Sequence, residues 1–404
     1  MSHSSTDDDS TASSVGMPTT GDSSVVTADP DTTGEPPVAT TVLDTTGEPT
    51  VTTHTDTTGE TDTVDTGDPP AHCDEVEFID AVLEQEIREV VAIPEGPIPG
   101  SALDGLQALD LRQEYTGPIT HLGGLECATG MHSLRLEGYS MLGDAGIEPL
   151  AALTQLEFLT ITEVPITSVA PLAALVGLQH LALGSDDVGD LAPLAGLASL
   201  RTLYLDNNPV VDLAPLAGLV ALEALHLRWT AVADLAPLTG FGSLRILDLS
   251  HTQVADLGPL AGLGALEELD LQATGVTNLG PLSGLPLLTR LAIDENALSD
   301  LTPLAGLPIR HFSASDCIIS DVGPIATWPT PGFINLVDND ISDISSLVAS
   351  EWLVAEDACG ELQLDGNPLS AQALEDAQAL CETHKLLVSF SGGQCGFNIV
   401  CNPP

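Results

Sequence analysis

The chain carries apolar positions that repeat with a fixed period. Five consecutive segments over 200–307 begin L-x-x-L-x-L, with Ile293 in place of the last leucine in the fifth, and close on P-L-x-G; their starts are 22 residues apart. The L-x-L alternation predicts a short strand whose leucines, such as Leu203 and Leu205, point inward while Tyr204 points outward. This register predicts twelve strands, centred on Leu109, Leu134, Leu159, Leu181, Leu203, Leu225, Leu247, Leu269, Leu291, Phe312, Ile334 and Leu362.

The spacing of the strand centres indicates the fold class. It is 25 residues twice, 22 six times, and then 21, 22 and 28. A fixed period of roughly 20 to 29 residues with this leucine pattern is typical of a leucine-rich repeat solenoid, and irregular end units cap an otherwise open core. We therefore predict an α/β solenoid: a right-handed leucine-rich repeat horseshoe with a parallel concave sheet, short helical turns on the convex side and caps at both ends.

Polar residues recur just after the strands, where small side chains can bond backbone groups as the chain turns. They are Asp186, Asn208, Thr230, Thr252, Thr274, Asn296, Cys317, Asn339 and Asn367. Tyr139 and Val164 break this rule in two early units.

Aspartates recur at a second position, ahead of the segment L-x-P-L or its variants. They are Asp190, Asp212, Asp234, Asp256, Asp300, Asp321 and Asp343. Such a row suggests metal ligands, but the clustered oxygens of a calcium loop are missing. We predict instead that each aspartate caps a short helical turn beginning at the following leucine.

Both ends of the repeat region carry predicted caps. The stretch EVEFIDAVLEQEIREVV at 75–91 has apolar residues at Val76, Ile79, Leu83, Ile87 and Val90, a spacing that predicts an amphipathic helix. At the other end, Ser370 is a candidate N-cap for a helix running to about residue 380, and LLVSF at 386–390 predicts a strand.

Residues 1–72 differ in composition from the rest. They contain 14 acidic residues, no lysine, arginine or aromatic residue, and DTTGE at 31–35, 44–48 and 56–60. Such a segment cannot bury enough apolar surface to offset its ordering entropy, so we expect a disordered acidic stalk. The leucine-rich repeat domain is predicted over 73–404, with an N-terminal cap at 73–108, repeats at 109–358 and a cysteine-containing C-terminal cap at 359–404.

The charge of the folded part restricts its partners. Residues 73–404 hold 45 acidic and 9 basic side chains, a net charge of −36, and Lys385 is the only lysine. Nucleic acids and anionic membranes require a basic patch, so the charge argues against both. It favours a cationic partner or a saline environment, and the sequence does not separate these two.

Neither a membrane span nor a signal peptide is predicted. No run of 18 apolar residues exists, and residues 1–20 lack a charged region followed by an apolar one. A Thr-rich stalk ahead of a cysteine-bearing solenoid is nevertheless typical of exported proteins. We therefore expect an extracellular or cell-surface location, with a signal or lipid anchor upstream of residue 1.

The cysteines agree with export. Cys73 lies just before the first helix and Cys127 in the first repeat, which predicts a disulfide between them. The C-terminal four, which allow three pairings, are Cys359, Cys381, Cys395 and Cys401. Cys359 and Cys381 are one repeat apart, which favours that pair and leaves Cys395 with Cys401. Cys317, at a turn position, is predicted to be unpaired, and the lack of C-x-x-C argues against a zinc or thioredoxin site.

The N-terminal cap carries a family resemblance. F-x-D-x-x-L-x-x-x-I-R at 78–88, EGPI at 95–98 and HLGGLECATGMHSLRL at 121–136 resemble the N-terminal cap of bacterial internalin-type leucine-rich repeat proteins. The repeat I-x-D-L-x-P-L-A-G-L is similar to the same class, so the resemblance covers roughly 75–370. It implies an exported or surface-held protein that binds proteins with its concave face. No wall-sorting signal or immunoglobulin-like tail is visible, so it implies neither the attachment nor the partner.

The chain carries no enzyme motif: a phosphate loop, G-x-S-x-G and H-E-x-x-H are all missing. Aromatic and charged residues instead come together on the outward side of the middle strands. These candidate ligand-binding residues are Tyr204, Asp206, His226, Arg228, Trp229, Asp248 and His251. His226 and Asp248 lie on strands ~4.8 Å apart and, with His251, could form a zinc site or an acid–base pair. An open sheet lacks the enclosure that such sites need, so we predict a contact surface without catalytic residue, metal or cofactor.

We therefore predict a monomeric, non-enzymatic binding protein that recognises a protein ligand through the concave face. One alternative is a structural spacer or adhesion element without a single ligand, which a concave face lacking a dominant patch would favour. The other is a cytosolic scaffold similar to eukaryotic phosphatase regulators with this repeat class. Paired cysteines would count against the cytosolic scaffold, because disulfides seldom persist in a reducing cytosol.

Overall fold

The structure, a computed structural model, describes residues 73–113, 117–329, 332–350, 360–384, 386–391 and 393–395. The predicted stalk over 1–72 lies outside these residues, as do Cys359 and Cys401. No helix within the described ranges combines the length and the apolar composition that a bilayer crossing requires.

Short strands recur along the whole described chain. They are β1 (Glu75–Val76), β2 (Ile98–Pro99), β3 (Ala108–Arg112), β4 (Ser133–Glu137), β5 (Phe158–Thr162), β6 (His180–Gly184), β7 (Thr202–Tyr204), β8 (Ala224–His226), β9 (Ile246–Asp248), β10 (Glu268–Asp270), β11 (Arg290–Ala292), β12 (His311–Ser313), β13 (Phe333–Asn335), β14 (Glu361–Gln363), β15 (Leu387–Phe390) and β16 (Gly393–Cys395). Strands β3 to β16 form one sheet of 14 strands in chain order, and β1 and β2 form a separate antiparallel pair. The sheet is parallel from β3 to β15, and β16 is antiparallel to β15.

The register of this sheet confirms the predicted repeat. Each predicted strand centre is the partner of the next, from Leu109 with Leu134 at one end to Ile334 with Leu362 at the other. All twelve predicted strands are present, as is the strand predicted at 386–390. The inward leucines form one continuous buried core along the solenoid, as the alternation predicts. The chain is a leucine-rich repeat solenoid.

Short helices occupy the side of each coil away from the sheet. The 3-10 helices are Leu125–Cys127, Asp144–Ala152, Ala170–Ala174, Ala192–Leu194, Ala214–Gly218, Ala236–Leu238, Gly258–Gly262, Gly280–Gly284, Thr302–Leu304 and Ile325–Thr327. The α-helices are Ala81–Val91, Gly100–Leu103, Ser345–Val348 and Ala371–His384.

The recurring aspartates bond the backbone just ahead of these turns. Asp212 is typical: its Oδ1 accepts the N–H of Ala214 at 2.8 Å. The same contact, to the N–H two residues on, recurs at Asp190, Asp234, Asp256, Asp300, Asp321 and Asp343. The predicted aspartate–backbone contact is therefore present, but the leucine rather than the aspartate holds the N-cap position, and turns such as 214–218 begin one residue after that leucine. At Asp321 the bonded Gly323 lies ahead of the helix Ile325–Thr327.

A buried polar side chain after the strand ties one coil to the next. The Asn208 Nδ2 donates to the carbonyls of Leu183 in the preceding coil and Leu205 in its own. Its Oδ1 accepts the N–H of Val188 at 3.0 Å. The donations to the preceding coil and to the residue's own coil recur at Asn296, Asn339 and Asn367. Because a buried amide is costly unless bonded, these contacts also set the turn conformation.

Asp186 occupies the same turn position one coil before Asn208. Its Oδ1 accepts the N–H of Val164 at 2.9 Å, but its Oδ2 is buried without a hydrogen-bond partner among the described atoms. Asp186 and Asn208 are one 22-residue repeat apart. The Oδ2 of Asp186 therefore corresponds to the Nδ2 of Asn208, which donates hydrogen bonds. Burial, with Asp187 and Glu163 adding like charge, raises the pKa of Asp186 to about 7.

We expect Asp186→Asn to stabilise the protein at neutral and higher pH. Because the folded-state pKa of about 7 exceeds the ordinary 3.8, the stabilisation from protonated Asp186 is complete below pH 3.8 and is lost as pH rises through about 7. An asparagine amide can donate at every pH. Thermal unfolding should give similar stabilities near pH 4 and an advantage of about 2 to 4 kcal/mol for the variant near pH 8. Parallel pH profiles would contradict this expectation.

The N-terminal helix is shorter than predicted. It spans Ala81–Val91, and the preceding residues 75–76 form β1 instead. Of the predicted apolar face, Leu83 and Ile87 are fully buried, whereas Ile79 is 68% exposed and Val90 53% exposed. The helical spacing of apolar residues in the sequence extends upstream of Asp80, although the helix itself begins only after that residue.

Asp80 is the N-cap of this helix and also joins the N-terminal cap to the first repeat. Its Oδ1 accepts the N–H groups of Val82 and Leu83, and its Oδ2 accepts the N–H and hydroxyl of Thr120 at 2.8 and 2.9 Å. Burial opposes ionisation of Asp80, but these hydrogen bonds outweigh it and lower its pKa. The predicted disulfide is confirmed nearby: Cys73 is bonded to Cys127, with their Cα atoms 5.5 Å apart.

At the C-terminal end, the predicted helix and its N-cap residue Ser370 are confirmed. The Ser370 Oγ accepts the N–H of Ala373 at 3.1 Å as the helix Ala371–His384 begins. Cys381 in this helix is disulfide-bonded, with a partner outside the described side chains, so the C-terminal pairing stays a prediction. Cys317 is buried and free, as predicted.

Thiol counting tests the remaining disulfides. If Cys381 and the three cysteines outside the described side chains pair among themselves, the denatured, unreduced protein should present one reactive thiol, that of Cys317. The native protein should react slowly, because burial raises the pKa of this thiol. Mass spectrometry after alkylation measures both. Seven thiols in protein purified from its native compartment would argue against the pairing and against export.

Candidate functional site

The outward residues of the strands form columns across the concave face. One column follows the register from Ala182 through Tyr204, His226, Asp248 and Asp270 on strands β6 to β10. Neighbouring strands lie ~4.8 Å apart, so consecutive members of a column touch. His226 and Asp248 are register partners, as predicted.

Four aromatic rings line up across strands β5 to β8, and we call them the aromatic row: Phe158, His180, Tyr204 and His226. Their successive centroids are 6.2, 5.6 and 4.2 Å apart. The last pair, Tyr204 on His226, is stacked with an interplanar angle of 13°. Phe158 is 48% exposed. His180 is partly buried, and this burial lowers the pKa of its imidazole. A continuous ring surface of this kind belongs to an open face, since the core lies on the other side of the sheet.

Two members of the aromatic row were not among the predicted site residues. Phe158 and His180 occupy the outward position before the strand centre, whereas Tyr204 and His226 occupy the one after it. The row therefore crosses from one column to the next between β6 and β7. Aromatic residues at either outward position of neighbouring strands are the signal that would have identified all four.

Carboxylates lie beside and beyond the aromatic row: Asp206 follows β7, and three more lie on β9 and β10. We call Asp206, Asp248, Glu268 and Asp270 the acidic patch. Asp206 accepts the N–H of Arg228 at 2.8 Å, and Asp270 accepts that of Gln272 at 2.9 Å. Asp248 accepts both the N–H and the hydroxyl of Ser250 through one oxygen, Oδ1.

The acidic patch is crowded. Burial, together with the neighbouring charge of Asp248, raises the pKa of both Asp206 and Asp270. The guanidinium of Arg228 acts in the opposite direction on both carboxylates. A shallow depression of about 300 Å³ lies over this region, and its polar lining consists of His226, Asp248, Glu268, Asp270 and Arg290.

Trp229 and His251 form a second stack, separate from the aromatic row. Their centroids are 3.9 Å apart with an interplanar angle of 5°, and Trp229 is 52% exposed. Both residues lie just past the strands at a position that takes positive φ in every middle unit, with φ 58° at Trp229. The stack therefore stands at the edge of the sheet, whereas Tyr204 lies within it.

The backbone at Trp229 shows that the fold does not require a large ring there. Other units place Ser185, Asn207, Ala273 and Glu295 at the equivalent left-handed position. This conformation costs an L-residue with a Cβ roughly 1 to 2 kcal/mol. The indole gains its contact with His251, but most of the remaining ring surface faces solvent.

The arrangement gives little support to catalytic or metal chemistry. Within the part of the chain that the structure describes, no three His, Cys, Asp or Glu side chains are grouped to hold a metal ion. The Asp248 Oδ1 accepts from Ser250, and the imidazole of His226 stacks on Tyr204. What the face offers is an aromatic surface beside a negatively charged one.

Comparison with solved structures confirms the resemblance to internalins. A crystal structure of an internalin from Listeria monocytogenes is 28% identical, with a TM-score of 0.71, and the match covers 77% of this chain and 89% of that one. No model of a known protein family and no curated protein sequence matches the chain.

Two more distant structures share the fold. The mouse RP105/MD-1 complex is 23% identical over 70% of this chain and 51% of that one, with a TM-score of 0.57. The plant peptide hormone receptor RGFR1 in complex with RGF2 is 15% identical over 72% and 48%, with a TM-score of 0.56. These neighbours are leucine-rich repeat binding and receptor proteins.

Proposed function

We propose that this chain is a non-enzymatic binding protein that recognises a protein ligand through the concave face of its sheet. The observation that carries the proposal is the aromatic row. Four successive rings occupy outward strand positions. At the position of Tyr204 and His226, other strands carry Thr160, Ala182 or Ser313 without loss of register. Interface energy concentrates in aromatic and arginine side chains near the centre of a patch.

We further propose that the protein works outside the cell or on its surface. The disulfide between Cys73 and Cys127 and the bonded Cys381 support this location, because disulfides seldom persist in a reducing cytosol. The similarity to an internalin supports it as well. The same cysteines weigh against a cytosolic scaffold, and the aromatic row weighs against a spacer without a ligand.

Selection from a random-peptide library displayed on phage tests the proposed function without knowledge of the natural partner. The immobilised bait is the full chain with its disulfides intact. Enriched peptides should bind the free protein in solution and should compete with one another. Failure to enrich any sequence, or enrichment of peptides that bind away from the aromatic row, would overturn the proposal.

Tyr204→Ala should weaken the enriched peptides by about 2 kcal/mol, roughly thirtyfold in Kd, because it removes the central ring of the row. The melting temperature should change little, since Tyr204 is not an inward residue. Isothermal titration and thermal unfolding on the same samples measure both. Tyr204→Phe keeps the ring and should keep most of the affinity, and Val211→Ala, at a 61% exposed residue outside the sheet, is the matched control.

Trp229→Ala tests whether the edge stack contributes to the same surface. We expect a loss of about 2 kcal/mol of binding with little change in melting temperature, because smaller residues occupy the equivalent positions. Affinity and melting temperature are again measured together. Unchanged affinity with a lowered melting temperature would assign the indole to the fold and limit the binding surface to the strands.

A further inference from the structure

Resting on the proposed function, we infer that the ligand is a basic, extended protein segment. It lays apolar side chains on the aromatic row and places an arginine or lysine between Asp248 and Asp270. The occupant is thus defined by its chemistry: a peptide stretch with an apolar part and a cationic part, lying across the strands from β5 to β11.

The first argument is a pair of like charges. Asp248 and Asp270 are direct register partners on β9 and β10. Like charges opposite each other on adjacent strands destabilise a sheet. Each carboxylate uses Oδ1 to accept from its own loop, at Ser250 and Gln272 respectively. Their separate loop contacts do not require the two acids to be neighbours, and a cation placed between them would remove the repulsion.

The second argument is the charge balance of the face. The four carboxylates of the acidic patch are accompanied by two guanidinium groups, those of Arg228 and Arg290. Arg290 reaches Glu268 only at 4.0 Å, and its side chain is 63% exposed. The surrounding domain over 73–404 carries a net charge of −36, so it adds to the attraction for a basic segment. A basic partner is therefore complementary to this face.

The third argument is the neighbouring ring surface. His226 is both the last ring of the aromatic row and the register partner of Asp248. A guanidinium or ammonium group beside a carboxylate can also lie against an aromatic ring, and desolvated contacts of that kind are favourable. The depression of about 300 Å³ that His226 shares with Asp248, Glu268 and Asp270 has room for such a side chain.

The register also sets the spacing within the ligand. From β5 to β11 there are six strand intervals, about 29 Å at 4.8 Å each, which an extended segment of about nine residues would span. The centre of the acidic pair lies between β9 and β10, about two and a half intervals, roughly 12 Å, beyond Tyr204 on β7. An aromatic or apolar side chain and the cationic one should therefore be about four residues apart in the ligand, at about 3.3 Å of extended chain per residue.

The test uses the peptides enriched by the phage selection. We expect arginine or lysine to be over-represented in them, at the stated distance from an apolar residue. Each arginine is then replaced by citrulline, which keeps the shape and removes the charge. The substitution should weaken binding to the unaltered protein at least about tenfold, and binding should fall as NaCl is raised.

The protein variants are a charge-matched pair. Asp248→Asn with Asp270→Asn removes two charges from the acidic patch, whereas Asp104→Asn with Asp340→Asn removes two exposed charges that lie outside the strands. The first double variant should lose about tenfold in affinity for the arginine peptide and none for the citrulline peptide. The second should bind both peptides like the unaltered protein. Because Asp248→Asn with Asp270→Asn relieves a repulsion, its melting temperature should not fall.

The outcomes separate this inference from the proposed function. Enriched peptides that depend on Tyr204 but lack basic residues, or tolerate citrulline, would overturn the inference and leave concave-face binding intact. Equal losses in both double variants would indicate general attraction to an acidic protein and would also overturn it. If Tyr204→Ala had no effect on any enriched peptide, the proposed function itself would fail.

Discussion

The stacking of each coil on the next is the interaction on which the rest of this molecule depends. A single coil has inward leucines but no second layer of its own to cover them, so its apolar face is buried only by its neighbours. The parallel register holds the strand sides together, and the buried turn residues hold the coils together where the strands end. Asn208 serves two coils with one amide, which explains why a polar residue recurs at a fully enclosed position.

This division of roles leaves the outward residues free to vary. An outward position between two buried leucines can hold Ala182, Tyr204 or Asp270 without a change in register. The chemistry of the candidate site is therefore independent of the chemistry that folds the chain. It also explains why the face tolerates the repulsion between Asp248 and Asp270, since one unfavourable cross-strand pair costs roughly 1 kcal/mol or less, against the continuous buried core of the stacked coils.

Periodicity made most of the fold predictable. The leucine spacing predicted the strand centres, and the position of Cys73 before the first repeat predicted its disulfide with Cys127. The aspartate spacing predicted the backbone contacts ahead of the turns, although the leucine and not the aspartate holds the N-cap position. The N-terminal helix was less well predicted, because Val76 and Ile79 fit a helical spacing although the helix begins only after Asp80. Hydrophobic spacing describes a face, but the start of a helix depends on a single capping side chain.

The candidate site was predictable only in part, for a different reason. Tyr204, His226 and Asp248 follow from alternation alone, as does their adjacency. The contribution of Phe158 and His180 depends on a diagonal contact between two columns, which a one-dimensional repeat does not display. The chemistry of Asp186 was hidden for a similar reason: by sequence it is one more small polar residue, and only the enclosed geometry makes its charge costly.

The constant register has a consequence for how such a surface can change. Loss or duplication of one whole 22-residue unit would leave every coil with an equivalent neighbour. Between Tyr204 and Asp248, however, it would shift the rings relative to the carboxylates by one interstrand distance, about 4.8 Å. The distance between the aromatic row and the acidic patch can therefore change only in whole interstrand steps. Copying of units would lengthen the face in fixed increments, whereas substitutions at outward positions change the chemistry of single strands.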